Sequence, residues 1–385
     1  MHHILRLGVC CYLALVTSYV AAATSVPSPT ASTPSPPGAL LMQERIPGAP
    51  FDAAAYRILY RSTAMDGQPI AVSGLVVIPA GPPPPGGRLI VAWAHPTTGL
   101  VERCAPSLAL FRFQQIQGLR DMVAHGFIVA ATDYPGLGTP GPHPYLVGIS
   151  EARAVLDAVR AARALPDADA GSRFAVWGHS QGGQAALFTG IIAAHYAPDL
   201  HLVGVAAAAP ATELAALLQA DLDTPGGKNL TAMTLWSWAQ IYDAPIRQVV
   251  TAAAMPVIDN LAQECIESAY DLFVRGHTAR PLETNFLTVA NLATTEPWAG
   301  LAAQNTPGTL PPAIPVFIAQ GTADPIVLPQ ITRDYVTRLC HAGSKVTFVQ
   351  LPRVGHGVAA MRSARMAVDW MADRFKELPA PDDCP

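Results

Sequence analysis

The chain has 385 residues, 50% of them apolar and only 14% charged, with a formal net charge of -4. That composition supports a large buried core and excludes a chain disordered over most of its length. The small negative charge comes with no basic stripe and no cluster of stacking aromatics, so nucleic acid is not an expected partner.

Arg6, the apolar stretch 7–20 and Ala21-Ala22-Ala23 read as a secretory signal over 1–23, too short for a comfortable membrane span. The expected location is therefore secreted, extracellular or periplasmic. Residues 24–38 are a Ser/Thr/Pro-rich linker, and 39–385 are expected to form the folded domain. Of six cysteines, Cys10 and Cys11 fall inside the signal, leaving Cys104, Cys265, Cys340 and Cys384. An even number in an exported chain points to two disulfides, and the spacing leaves all three pairings open.

Residues 56–63 and 70–78 read as a hairpin-like pair around Asp66-Gly67. The run 89–93 is an apolar strand that enters the polar loop His95-Pro96-Thr97-Thr98-Gly99. Strands follow at 127–132 and at 174–177, the latter running straight into Gly178-His179-Ser180-Gln181-Gly182 and a helical stretch over 184–194. After a strand at 202–206, residues 212–307 carry no strand signal and read as helices at 213–222, 230–243, 248–255 and 265–274. A strand at 316–319 then leads into Gly321-Thr322-Ala323-Asp324. Helix 329–342 and a last strand at 346–351 follow, and His356 lies in the loop after it. Strands alternating with helices predict an α/β fold, a mostly parallel central sheet flanked by helices, with 212–307 as a helical cap insertion.

The segment around Ser180 has the form of a nucleophile elbow, G-x-S-x-G between a strand and a helix. Glycines at the flanks let strand and helix approach, and the tight turn exposes the serine oxygen. A serine needs a base to take its proton, and a histidine with an ordinary pKa near 6.5 can accept it and return it to a leaving group. His356 suits that role, and Asp324, at the C-terminal end of a strand, suits the acid that orients it. Asp334, inside a helical pattern, reads as a solvated face. The oxyanion would take the backbone N–H of Gln181 and one from the loop after 89–93. Pro96 has no N–H, so that donor is Thr97, with Thr98 as the neighbour able to substitute. His179 is expected to point away from the substrate. His125, His195, His201, His277 and His341 lack paired ligand spacing, so no metal and no cofactor are expected. Trp236, Trp238, Ile241 and Tyr242 are candidates for an acyl pocket, or for ordinary helix core.

The loop His95-Pro96-Thr97-Thr98-Gly99, Arg103-Cys104-Ala105-Pro106-Ser107, Asp133-Tyr134-Pro135-Gly136-Leu137-Gly138 and the elbow together resemble the secretory lipase family of α/β-hydrolases, over about residues 46–374. The resemblance implies a serine ester hydrolase acting on acylglycerols or simpler esters, with Ser180, Asp324 and His356 as its triad. It also implies a bridge from Cys104 to Cys265 that pins the insert to the active-site rim, leaving Cys340 for Cys384. Pro96 departs from the His-Gly-Thr-Thr-Gly form usual in bacterial relatives and stiffens the oxyanion loop. The expected partner is an ester or lipid, with transient contact at a lipid interface. An aminopeptidase or another α/β-hydrolase activity on the same fold is the alternative, and a secreted binding protein with a silent triad is disfavoured because all the groups are present.

Overall fold

The structure, a computed structural model, describes residues 35–385. The expected signal 1–23, and the linker 24–38 up to residue 34, lie outside the described residues. Residues 35–38 turn into the first strand, with the Gly38 N–H donating to the Arg61 carbonyl at 2.7 Å.

Nine strands form one sheet: β1 (Leu40–Ile46), β2 (Ala54–Thr63), β3 (Pro69–Ile78), β4 (Arg88–Ala94), β5 (Ile128–Thr132), β6 (Ala170–His179), β7 (His201–Ala208), β8 (Val316–Gly321) and β9 (Val346–Leu351). Their spatial order is β1-β2-β3-β5-β4-β6-β7-β8-β9. The pairs from β1 to β5 are antiparallel and those from β5 to β9 parallel, so the sheet is mostly parallel. β1 escapes a sequence reading because it is an edge strand, half-buried or exposed throughout, and its Gln43-Glu44-Arg45 breaks any alternation.

Strand side chains alternate between two cores. Ile90, Ala92, Phe174 and Val176 face the side covered by α2 (Gly148–Ala164), α3 (Gln181–Tyr196) and α9 (Pro329–His341). Val91, Trp93, Ala175 and Trp177 face the side covered by α1 (Leu119–Ala124) and α10 (Ala359–Phe375). Being buried on both faces is why these strands read as continuous apolar runs.

Between β7 and β8 the chain leaves the sheet for α4 (Leu214–Ala220), α5 (Pro225–Ile241), α6 (Met255–Gln263), α7 (Ala269–Ala279) and α8 (Trp298–Gln304). These helices pack around a separate core that includes Leu217, Trp238, Ile258, Leu261 and Trp298. The helix expected over 248–255 is absent: Ile246–Gln248 is a 3-10 turn and Val250 bridges to Leu287. Pro256 sits in the first turn of α6, where its missing N–H costs nothing, so the helix begins at Met255 where the pattern had it end. Cys104 is bonded to Cys265 and Cys340 to Cys384. The first bridge ties the loop after β4 to the helical excursion, and the second ties α9 to the C-terminal tail. Among the described residues no helix is long and apolar enough to cross a membrane.

Candidate active site

β4 lies between β5 and β6, so the chain leaves its C-terminal end toward one side and returns on the other. Such a reversal opens a crevice at the C-terminal edge of the sheet. The 95–99 loop follows β4 there, and Ser180 follows β6 beside it. The elbow is forced by its neighbours. A Cβ on Gly178 would collide with the Gly182 carbonyl, and one on Gly182 with the Ala94 carbonyl, so only glycine lets β6, α3 and β4 approach this closely. Ser180 takes φ 57° and ψ -117°, a strained conformation for a non-glycine residue. Its N–H is bonded to the Ala208 carbonyl at 2.9 Å, which holds the turn against β7.

The side chains far apart in sequence meet here. His356 Nδ1 is 2.8 Å from Asp324 Oδ2, and its Nε2 is 2.8 Å from Ser180 Oγ. With Nδ1–H donated to the carboxylate, Nε2 is left to accept the serine proton. Asp324 is 3% exposed, and its buried charge is fully bonded. Oδ1 accepts the N–H groups of Ile326 and Val327, each at 2.9 Å, and Oδ2 accepts Gln320 Nε2 at 3.2 Å besides the imidazole. The His179 ring lies 5.1 Å from the His356 ring, and its Nε2 lies 3.0 Å from the His356 carbonyl. Burial first, and then the neighbouring His356, hold the His179 pKa down to about 3, so it stays neutral and donates to that carbonyl.

Gln181 opens α3, where no carbonyl lies four residues behind its N–H within the helix. Its N–H, like those of Thr97 and Thr98, meets no backbone carbonyl among the described residues. Thr97 Oγ1 is 3.0 Å from Tyr145 Oη, and the Thr98 carbonyl accepts the Ile266 N–H at 2.7 Å, next to the bridged Cys265. The Gln181 side chain is anchored by two buried groups that the sequence reading passed over. Its Nε2 donates to Glu151 Oε1 and to His143 Nε2, both at 2.8 Å. Burial lowers the His143 pKa to about 3 and raises that of Glu151 to about 8, so both are uncharged at neutral pH. Neither has a sequence signal: His143 lies in an irregular loop, and Glu151 reads as one more polar position of α2.

A slot over Ser180 and Gln181 is lined by Tyr145, Leu146 and Ala211, by Leu214, Leu217 and Leu218 of α4, and by Leu230, Thr234 and Trp238 of α5. Its space is about 30 Å³, room for about two waters. Of the four aromatic and aliphatic candidates only Trp238 lines it. Trp236, Ile241 and Tyr242 pack into the core of the excursion, because they lie on other faces of α5 and its end.

A sequence model of the secretory lipase family matches residues 114–383, well over half of the chain. The chain belongs to the secretory lipase family. Its similar relatives include lipase 9 of Candida albicans, 26% identical over 364 residues, which are 86% of this chain and 75% of that protein. A probable inactive lipase of Mycobacterium tuberculosis is 25% identical over 353 residues, 86% of this chain and 76% of the relative. Among solved structures, lipase A of Candida antarctica superposes with a TM-score of 0.74 at 18% identity, covering 91% of this chain and 84% of that one. The rice cell wall degrading esterase LipA from Xanthomonas oryzae gives 0.73 at 19% identity, covering 89% and 99%. The fold of this secretory lipase family member is thus that of the α/β-hydrolases, and membership gives it ester-hydrolase chemistry.

Proposed function

We propose that the protein is a secreted serine carboxylic-ester hydrolase that works through an acyl-enzyme on Ser180, with His356 as base and Asp324 as the acid that orients it. The observation that carries this reading is the unbroken hydrogen-bonded line from Asp324 through His356 to Ser180 at the mouth of an apolar slot. One relative bears the name of a probable inactive lipase. In this chain all three side chains of the triad are present and within hydrogen-bond distance of one another, which favours catalysis over a silent triad. Two disulfides fit an exported protein.

Ser180 Oγ attacks the ester carbonyl while its proton passes to His356 Nε2, and the carbonyl π electrons move onto oxygen. The Gln181 N–H at the positive end of α3, and an N–H of Thr97, stabilise that oxyanion. Collapse expels the alcohol, which takes the proton from His356, and leaves the acyl group on Ser180. Water then attacks with His356 again as base, releasing the acid and restoring the serine. Residues 212–307 act as a cap. The slot holds about two waters, so an acyl chain enters as α4 and α5 separate, and closure then excludes water from the acyl-enzyme.

Hydrolysis of p-nitrophenyl alkanoates by the full chain, compared with amino-acid anilides, tests the reading. Each methylene buried in a dry slot contributes about 0.8 kcal/mol, so kcat/KM should climb about ten-fold per pair of carbons until the slot is full. A flat response from acetate to octanoate, or faster cleavage of proline anilide than of the butyrate ester, would favour a peptidase. Failure of a fluorophosphonate to label Ser180 would point to a binding protein.

A further inference from the structure

Apart from Ser180, Gln181 and Tyr145 at its floor and side, the wall of the slot is apolar except at two places on the helices of the cap. Leu214, Leu217, Leu218 and Asp221 occupy one face of α4 continued through the 3-10 turn Asp221–Asp223. Where a fourth leucine would complete the lining, the chain carries a carboxyl. Asp221 is 8% exposed, and its Oδ1 is buried with no hydrogen-bond partner among the described residues. Opposite it on α5, Thr234 is buried and gives its hydroxyl proton to the Leu230 carbonyl at 3.0 Å, so it offers the slot only lone pairs. Burial first, and then the like charge of Asp324, push the Asp221 carboxyl up to about 7. At neutral pH it can therefore accept a hydrogen bond or donate one. An unpaired buried carboxyl is costly to a fold, and no bond within the cap requires this one.

We infer that Asp221 is a specificity-determining residue: the slot takes acyl chains that carry a hydroxyl group, which hydrogen-bonds to Asp221 Oδ1. The inference rests on the ester-hydrolase reading of Ser180 and adds to it the chemistry of the acyl part. A hydroxyl suits the group in either protonation state. An ammonium would demand a stable negative charge, which burial and Asp324 both oppose, and a bare methylene would leave the carboxyl unpaired. Ala211 donates its N–H to the Ser180 carbonyl at 3.1 Å, and α4 begins just after it. Asp221 then lies about 10 Å beyond Leu214 at the helical rise, and the triad acid Asp324 is near enough to bear on its charge, so matched chain lengths locate where the hydroxyl meets it.

The test is kcat/KM of the full chain on p-nitrophenyl esters of ω-hydroxyalkanoates and of plain alkanoates, at matched lengths from butyrate to decanoate. At one or more lengths the hydroxylated ester should be cleaved about ten-fold better or more, since a site built for a hydroxyl rejects the analogue lacking it. D221L should reverse that preference by losing the hydroxylated esters and gaining the plain ones, while D221N keeps part of it. D221L should also melt higher than the wild type, because an unpaired buried carboxyl is gone. A wild-type enzyme that prefers the plain ester at every length overturns the inference without any variant. So does a D221L enzyme that loses both series by the same factor. If neither series is cleaved at all, the ester-hydrolase reading falls and takes this inference with it.

Discussion

Asp324 is held by four donors, two backbone N–H groups on Oδ1 and the Gln320 amide and His356 imidazole on Oδ2. An amide at that position would turn an N–H₂ either toward the backbone donors of Ile326 and Val327 or toward His356 Nδ1. Asp324→Asn should therefore fix the imidazole in the wrong tautomer and lower kcat by about 10³ to 10⁴, with KM little changed. Steady-state kinetics on the butyrate ester check this, and a variant with wild-type kcat would move the acid to another loop. Ser180→Ala should lose turnover by several orders of magnitude, because among the described residues no other serine has this contact with His356. His179 meets the same loop through the His356 carbonyl, a contact that needs no charge on its ring.

At the scale of elements, the candidate active site is a joint where β4, β6 and α3 converge, and the helical excursion proposed as a cap is tied to the loop after β4 by one disulfide. Cys104 follows the 95–99 loop and Cys265 lies between α6 and α7, so the bridge closes a loop of 161 residues. The neighbouring Ile266 N–H adds a hydrogen bond to Thr98 within the same loop. Replacing both cysteines by serine should cost about 2–5 kcal/mol of stability, with the loosening concentrated in α6 and α7. Limited proteolysis would detect it as cleavage near residues 264–283 while the sheet stays intact. Equal protection of cap and sheet in the variant would count against the bridge as the anchor.

Over the whole molecule, buried titratable groups set a pH dependence of stability. Burial raises Glu151 from 4.5 to about 8 and, with Asp324, Asp221 from 3.8 to about 7. The folded chain therefore holds protons that the unfolded chain has released. Their stabilisation is fully present below the unfolded values and is lost as pH rises through the folded ones. His143 and His179, lowered from 6.5 to about 3, act in the opposite sense, with a contribution present above 6.5 and lost as pH falls toward 3. Of these four groups the two carboxyls carry the change above pH 6.5, so stability should fall by about 1–3 kcal/mol between pH 6.5 and about pH 8.5. Glu151→Gln mimics the protonated acid, keeps an acceptor for Gln181 and Leu146, and should remove most of that fall. Urea unfolding at the two pH values measures it, and an unchanged slope in the variant would exclude Glu151 as the source.

The sequence by itself determined the parts whose signal is local. The apolar runs of β4, β6 and β8 are buried on both faces and cannot be mistaken for amphipathic surface, and the loops that follow them carry Thr97, Ser180 and Asp324 in order along the chain. Glycine at 178 and 182 marks the elbow because no other residue fits there. Only the tertiary structure decided what depends on distant partners. β1 is a strand because β2 pairs with it, and its own residues carry no alternation. Gln181 is held by His143 and Glu151, from an irregular loop and a helix whose spacing predicts nothing about them. Trp238 reaches the slot while Trp236 does not, a matter of which face of α5 meets α4. Asp221 reads as an ordinary polar helix end until the fold buries it. A sequence records the residue type, but the cost of burying a charge depends on neighbours that arrive from elsewhere in the chain.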